Sequence, residues 1–104
     1  MDLNNILEMM GIRKAKLEED TRLSAEAQRI LESPLVDKFF KDMETKGVEM
    51  WKESVAEDID GRERLYAFMK LTGNFKKFFE KCIVDGKIAE KELADIASGK
   101  YENM

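Results

Sequence analysis

The chain has 104 residues and a formal net charge of −4, with 43% apolar and 38% charged residues. This length allows one domain with one modest core, and the composition excludes both a disordered chain and a membrane-embedded one. No apolar run reaches the roughly 20 residues of a membrane span, and the first residues lack the pattern of a secretory signal. We expect one water-soluble helical domain over 1–104, with a helical arm over 1–33 and a hairpin plus a short last helix over 34–98.

The N-terminal third carries a helical pattern that is interrupted once. Its first two turns present an apolar stripe, which consists of Leu3, Ile6, Leu7 and Met10. Gly11 interrupts the stripe, residues 12–22 are mostly charged, and apolar spacing resumes from Leu23. The pattern fits either one long, partly exposed helix or two helices with a flexible joint.

The next element begins at the single proline of the chain. Ser33 as N-cap with Pro34 at the first helical position is a strong helix-start signal. Apolar residues then recur at three- and four-residue steps, which predicts an amphipathic helix over about 34–56. Gly47 falls within this apolar stripe. It either permits close approach of a partner helix or is simply a weak point.

A further helix is predicted over about 61–84. Asp60 and Glu63 have the spacing of a capping box, and Leu65, Phe68, Met69 and Phe75 begin an apolar face. Gly73-Asn74 weakens the helix, Asp85-Gly86 is expected to end it, and a short last helix should follow over about 89–98. The short connection between 34–56 and 61–84 predicts an antiparallel helical hairpin, and hence an all-α fold.

The residues needed for most catalytic and metal sites are absent. The chain contains no histidine, and its only cysteine is Cys82. One thiol forms no zinc site and no internal disulfide, so a reducing, cytoplasmic setting is expected and the thiol should be buried as a small hydrophobe. Phosphate-binding loops and the Gly-x-Ser-x-Gly elbow are also missing. We therefore expect no enzyme, no cofactor, no small-molecule substrate and no membrane partner.

One stretch imitates a calcium site. Asp85, Gly86 and Glu92 match the fifth, sixth and twelfth positions of an EF-hand loop. The first and third positions, where carboxylates should hold the ion, are Lys81 and Ile83. The stretch is therefore interpreted as a helix-turn signal, and no metal ligand is assigned.

Basic residues concentrate in one part of the chain. Residues 60–86 carry six basic and four acidic side chains, a net +2, whereas the segments on either side are acidic. Four of these cations project from one helix face at about 100° per residue, and they are Arg62, Lys70, Lys77 and Lys81. Such a stripe meets nucleic-acid phosphates in some proteins. More often it is solvated or pairs with an acidic neighbour, here the helix bearing Asp42, Glu49 and Glu53.

Large apolar side chains are more numerous than two helices can cover. In adjacent pairs such as Phe39-Phe40 and Phe78-Phe79 the two side chains point about 100° apart, so one hairpin covers only one of them. Either the N-terminal segment covers the others or a second subunit does, and self-association is the preferred interpretation. The ordinary alternative is an intramolecular core with residues 1–10 as its lid. The predicted protein-interface residues are Leu3, Ile6, Leu7, Met10, Phe39, Phe40, Trp51 and Phe78.

Several short patterns occur together between residues 28 and 94. They are Ile30-Leu31-Glu32-Ser33-Pro34-Leu35-Val36, Phe39-Phe40, Trp51-Lys52-Glu53-Ser54, Asp60-Gly61-Arg62-Glu63-Arg64-Leu65-Tyr66 and Asp85-Gly86-Lys87-Ile88-Ala89-Glu90-Lys91-Glu92-Leu93. This combination resembles small uncharacterised helical proteins of tailed phages. The resemblance implies a gene neighbourhood of virion assembly or DNA packaging, and a location in the host cytoplasm or the virion.

Three functions are consistent with these sequence features. The first is a phage-type assembly or DNA-packaging accessory that acts through helix-mediated oligomerisation, with itself or another protein as partner. The second is a small inhibitor that docks on a host or defence protein. The third is a nucleic-acid-binding regulator that uses the basic stripe. Oligomeric state separates the first from the second, and salt-dependent gel shifts isolate the third.

Overall fold

A computed structural model of the protein describes residues 2–99 and confirms the all-α class. It contains three helices, which are α1 (Leu3–Glu32), α2 (Pro34–Glu53) and α3 (Ile59–Ala97), and this described part has no strand. The helices form two compact units. The first contains residues up to Gln28 and those from Glu80 onward, and the second is Arg29–Phe79.

α1 is one long helix, so the first of the two interpretations of the N-terminal third is the one observed. It continues through Gly11, whose surroundings are open. The charged stretch forms ion pairs at helical spacing, between Lys16 and Asp20 at 3.4 Å and between Arg22 and Glu19 at 2.6 Å. Pairs three or four residues apart stabilise an exposed helix locally, which explains why residues 12–22 remain helical with few apolar positions.

Small residues bring α1 and α3 together in the first unit. Ser24, Ala27, Gly86 and Ala89 are all buried. A Cβ placed on Gly86 would lie 1.9 Å from the Ser24 Cβ and 2.9 Å from the carbonyl oxygen of Asp20. The Ser24 hydroxyl donates a hydrogen bond to the Ile83 carbonyl at 3.2 Å, which satisfies this buried polar group.

The predicted helix end at Asp85-Gly86 is wrong. α3 continues to Ala97, passing through Gly73-Asn74 and Gly86, so the separate last helix over 89–98 does not exist. Glycine is common both after a helix end and where two backbones approach closely. At Gly86 the second reason applies, because α1 occupies the space that a side chain would need.

In the second unit α2 and the first part of α3 form the antiparallel hairpin that the sequence predicted. Residues near the start of α2 lie against residues near the end of this part of α3. Residues near the end of α2 lie against residues near the start of α3. The Phe40 and Phe75 rings are 6.1 Å apart, whereas Trp51 near the end of α2 contacts Arg62. Between these ends, a Cβ on the buried Gly47 would lie 2.9 Å from the Met69 Cγ. Gly47 therefore marks a close approach of the two helices.

The helix boundaries in the second unit follow from local hydrogen bonding. Ser33 is the N-cap of α2 and Pro34 its first residue, as predicted. α2 ends at Glu53, earlier than expected, because the Ser54 amide and hydroxyl both donate to the Trp51 carbonyl, at 3.2 and 2.6 Å. The Asp58 carboxylate, and not that of Asp60, accepts the Gly61 amide at 3.1 Å.

Both units bury little. Among the described residues no large side chain is fully buried, and the buried apolar residues are Leu17, Ala27, Phe40 and Ala89. Cys82, expected in the core, is only half-buried. Many large apolar side chains are exposed in each unit.

Candidate interaction surface

α3 carries two apolar stripes within the second unit. One packs against α2, and the other is largely exposed and touches α2 only along its edge, where the Phe75 ring centroid lies 6.1 Å from that of Phe40. The packed stripe includes the half-buried Leu65, Met69 and Phe79. The other, named here the outer stripe, consists of Phe68 (50% exposed), Leu71 (68%), Phe75 (55%) and Phe78 (63%). Steps of three, four and three residues place these four side chains on one helix face. The outer stripe is therefore a continuous apolar surface open to solvent.

α2 extends this apolar surface on one side. A shallow groove is lined by Phe39, Leu71, Thr72, Asn74 and Phe75, so Phe39 lies beside the outer stripe. Leu35, one helical turn before Phe39, is also exposed. On α2 the ion pair between Lys41 and Asp37 lies about half a helix circumference away. Lys41 donates a hydrogen bond to the Asp37 carboxylate, and this raises the pKa of Lys41.

The adjacent phenylalanine pairs behave as their spacing predicted. Phe40 is 7% exposed whereas Phe39 is 49% exposed, and Phe79 is half-buried whereas Phe78 is exposed. The rings touch edge to face, with centroids 5.5 Å apart in the first pair and 5.7 Å in the second. Phe40, one of the predicted interface residues, is instead buried in the core of this unit. Phe39 and Phe78 are available to a partner.

Trp51 and Arg62 form a separate contact at the turn between α2 and α3. The Arg62 guanidinium carbon lies 4.1 Å from the Trp51 ring centroid, which is cation–π geometry. The Arg62 Nε is buried and has no hydrogen-bond partner within the described residues. Trp51, predicted for a protein interface, and Arg62, predicted for nucleic acid, thus engage each other.

The other predicted basic residues are exposed. Lys70 and Lys77 lie on the second unit's part of α3, and Lys81 on the first unit's part. Within residues 2–99 none of these three lysines forms an ion pair with the acidic residues of α2; Asp42 pairs with Lys38 instead. Within the part of the chain that the structure describes, these lysines therefore have no ion-pair partner.

The predicted N-terminal stripe belongs to the first unit. Leu3, Ile6, Leu7 and Met10 lie on the first turns of α1, and all four are exposed. The structure therefore separates the predicted interface residues into two groups, these four in the first unit and the aromatic ones in the second.

Sequence reasoning missed three members of the outer stripe. Phe68 and Phe75 are predicted on the same apolar face as Leu65 and Met69, and Leu71 is not among the predicted interface residues. The signal that separates them is spacing, because Phe68, Leu71, Phe75 and Phe78 follow one heptad-like series and Leu65, Met69, Thr72 and Phe79 follow another. Two interleaved series on one helix indicate two faces that are each suited to packing.

The described residues hold no group of three or more side chains suited to a metal ion. Over residues 2–99, none of the helices combines the length and apolar character required to cross a bilayer. Comparisons with protein-family models, curated proteins and solved structures find no match for this chain. The exposed apolar surface of the second unit is the strongest functional feature that remains.

Proposed function

We propose that this chain is a helical interaction protein that works by self-association rather than by catalysis. The observation that carries the proposal is the outer stripe, four large apolar side chains that are each at least half exposed on one helix face. Water-exposed apolar surface of this kind is covered in most proteins by a partner.

The size of the surface supports a specific interface. Leu35 and Phe39 adjoin the outer stripe and are also exposed. With about 200 Å² for a whole aromatic side chain, the six side chains present on the order of 600 Å² of apolar surface. A stable interface buries about 800 Å² on each partner. The surface therefore supplies most of what one subunit contributes.

The setting that we propose is the assembly of a larger particle. The likeness to small tailed-phage proteins points to virion assembly or DNA packaging, where helical accessory proteins act as oligomers. Self-association is compatible with such a role because repeated copies then present the rest of their surface several times.

The oligomeric state tests this function directly. Light scattering or sedimentation at tens of micromolar is expected to show a defined oligomer for the unaltered chain. Leu71→Glu should convert it to a monomer, because a carboxylate buried in an apolar interface is costly. Circular dichroism should show unchanged helix content, since Leu71 is 68% exposed within the chain.

Val48→Glu is the matched control. Val48 is an exposed apolar residue of α2, about half a helix circumference from Phe39. This variant should keep the oligomer. A strictly monomeric unaltered chain, or equal loss of the oligomer in both variants, would contradict the proposal.

A further inference from the structure

The residue spacing of the outer stripe is suited to pairing with an antiparallel copy of the same stripe. Its members are separated by three, four and three residues, so the order of steps is the same from either end. The midpoint of the stripe falls at position 73. A surface that repeats itself in this way suits a two-fold interface, in which the same patch contributes from both subunits.

We propose that two copies of the chain pair through the outer stripe with their α3 helices antiparallel, an arrangement that rests on the self-association proposed above. The two-fold axis of this pair lies between the two α3 helices, at the level of position 73. Phe68 then lies opposite Phe78 of the second copy, and Leu71 lies opposite Phe75 of the second copy. The symmetry produces each of these pairs twice, so every member of the stripe has an apolar partner.

The spacing agrees with known helix pairing. Two helices pack side by side when apolar residues alternate at three- and four-residue steps, and four successive layers cover about 15 Å. Three of the four side chains are aromatic, and aromatic pairs add about 0.5–1.5 kcal/mol beyond their buried area. The stripe thus provides both the register and the large side chains of a short helical interface.

Arg64 favours the antiparallel direction over the parallel one. It lies four residues before Phe68, on the same helix face, and its Nε donates to the Asp60 carbonyl at 3.3 Å. In a parallel pair with the stripes in register, Arg64 would face its own copy, and two like charges repel. In the antiparallel pair the position opposite Arg64 is 82, which separates the two arginines by about 27 Å along the axis.

α2 adds apolar area beside this pair. Phe39 lines the same groove as Leu71 and Phe75, so a second copy seated on the outer stripe also covers the groove. The antiparallel pair therefore covers the outer stripe of α3 and Phe39 of α2 at once. The estimated 600 Å² per chain then approaches the roughly 800 Å² per partner of a standard interface.

Disulfide trapping tests the direction of pairing. In a Cys82→Ser background, Phe68→Cys and Phe78→Cys are prepared separately, one of them with a longer tag. After mild oxidation, the mixture of the two variants should form a disulfide-linked heterodimer of intermediate size on a non-reducing gel. Each variant alone should form little disulfide, because each cysteine then faces a phenylalanine. Val48→Cys mixed with Phe78→Cys is the control and should remain unlinked.

A charge-rescue experiment gives a second measurement that does not depend on oxidation. Leu71→Glu alone and Phe75→Lys alone should each be monomeric. Their mixture should form heterodimers, because the antiparallel pair sets the new glutamate opposite the new lysine and leaves the other Leu71–Phe75 layer unaltered. A parallel pair would give no rescue.

The outcomes separate the two proposals. Disulfides in the single-cysteine samples, or a stable oligomer with neither mixed disulfide nor charge rescue, would overturn antiparallel pairing and leave self-association intact. A monomeric unaltered chain would overturn both. Helix content measured for every variant excludes unfolding as the cause.

Discussion

At the scale of single residues, the glycines have different roles in the packing although they look alike in the sequence. Gly73 has open space around it, Gly47 lies against the flexible Met69 side chain, and Gly86 lies against the Ser24 side chain and a backbone carbonyl. An added methyl group is accommodated easily at Gly73 and least easily at Gly86, because backbone atoms move less readily than the end of a side chain.

Gly86→Ala should lower the free energy of unfolding by about 1–3 kcal/mol, since the added Cβ overlaps Ser24 and the Asp20 carbonyl. This loss outweighs the gain of about 1 kcal/mol that alanine brings inside a helix. Urea denaturation followed by circular dichroism measures the difference.

Gly73→Ala is the matched control in the same helix, because nothing lies within 4 Å of its Cβ position. It should raise the free energy of unfolding by roughly 0.5–1 kcal/mol. If the two variants changed stability in the same direction, the close approach of α1 at Gly86 would be refuted.

At the scale of helices, one carboxylate decides where α3 begins. Asp58 accepts the Gly61 amide, and a side chain at position 61 would collide with that carboxylate, because its Cβ would lie 2.2 Å from the Asp58 Oδ2. The glycine therefore makes room for the cap. The sequence spacing predicted Asp60 as the capping residue, whereas the backbone path brings the Asp58 carboxylate to the amide.

Asp58→Ala is expected to lower the free energy of unfolding by about 1 kcal/mol, the usual cost of removing an N-cap. Asp60→Ala should cost less, since Asp60 lies inside the first turn and contributes only through the helix dipole. Chemical denaturation compares them, and an equal or larger effect at Asp60 would support the capping box expected from the sequence.

α1 contains an ion pair whose titration is measurable. Arg22 donates hydrogen bonds to the Glu19 carboxylate at 3.0 and 2.6 Å, and these lower the pKa of Glu19 below 4.5. A lowered folded-state pKa stabilises the fold above the unfolded-state pKa, and this stabilisation is lost as the pH falls through the folded value. Because both side chains are exposed, salt should weaken the effect.

Arg22→Gln should raise the pKa of Glu19 toward its ordinary value, as measured by a carboxyl NMR titration. Lys14→Gln is the control, because the Lys14 Nζ lies 4.0 Å from Glu18 and does not pair with Glu19. A Glu19 pKa that stays unchanged in Arg22→Gln would show that the pair does not persist in solution.

At the scale of the whole molecule, the self-association proposed above predicts that stability depends on protein concentration. If copies pair in the folded state and separate on unfolding, the Tm rises with protein concentration. Leu71→Glu should abolish this dependence and lower the Tm at high concentration. A calorimetric Tm that stays constant for the unaltered chain over a tenfold or larger concentration range would contradict paired folding.

The sequence by itself determined the helical class, the helix start at Ser33-Pro34 and the hairpin that follows. These features depend on local signals: a cap, a proline at the first turn and apolar residues at three- and four-residue steps. The exposure of one member of each adjacent phenylalanine pair was also predictable, because neighbouring helical residues point in different directions.

Only the tertiary structure decided how the exposed surface is arranged. The role of Gly86 depends on α1, which is more than fifty positions away in the chain, and no local signal distinguishes a helix end from a close approach. The division of the α3 phenylalanines into core and outer stripe likewise depends on where α2 packs. Local propensity determines which residues are helical, whereas long-range packing determines which helix faces remain exposed and available to bind.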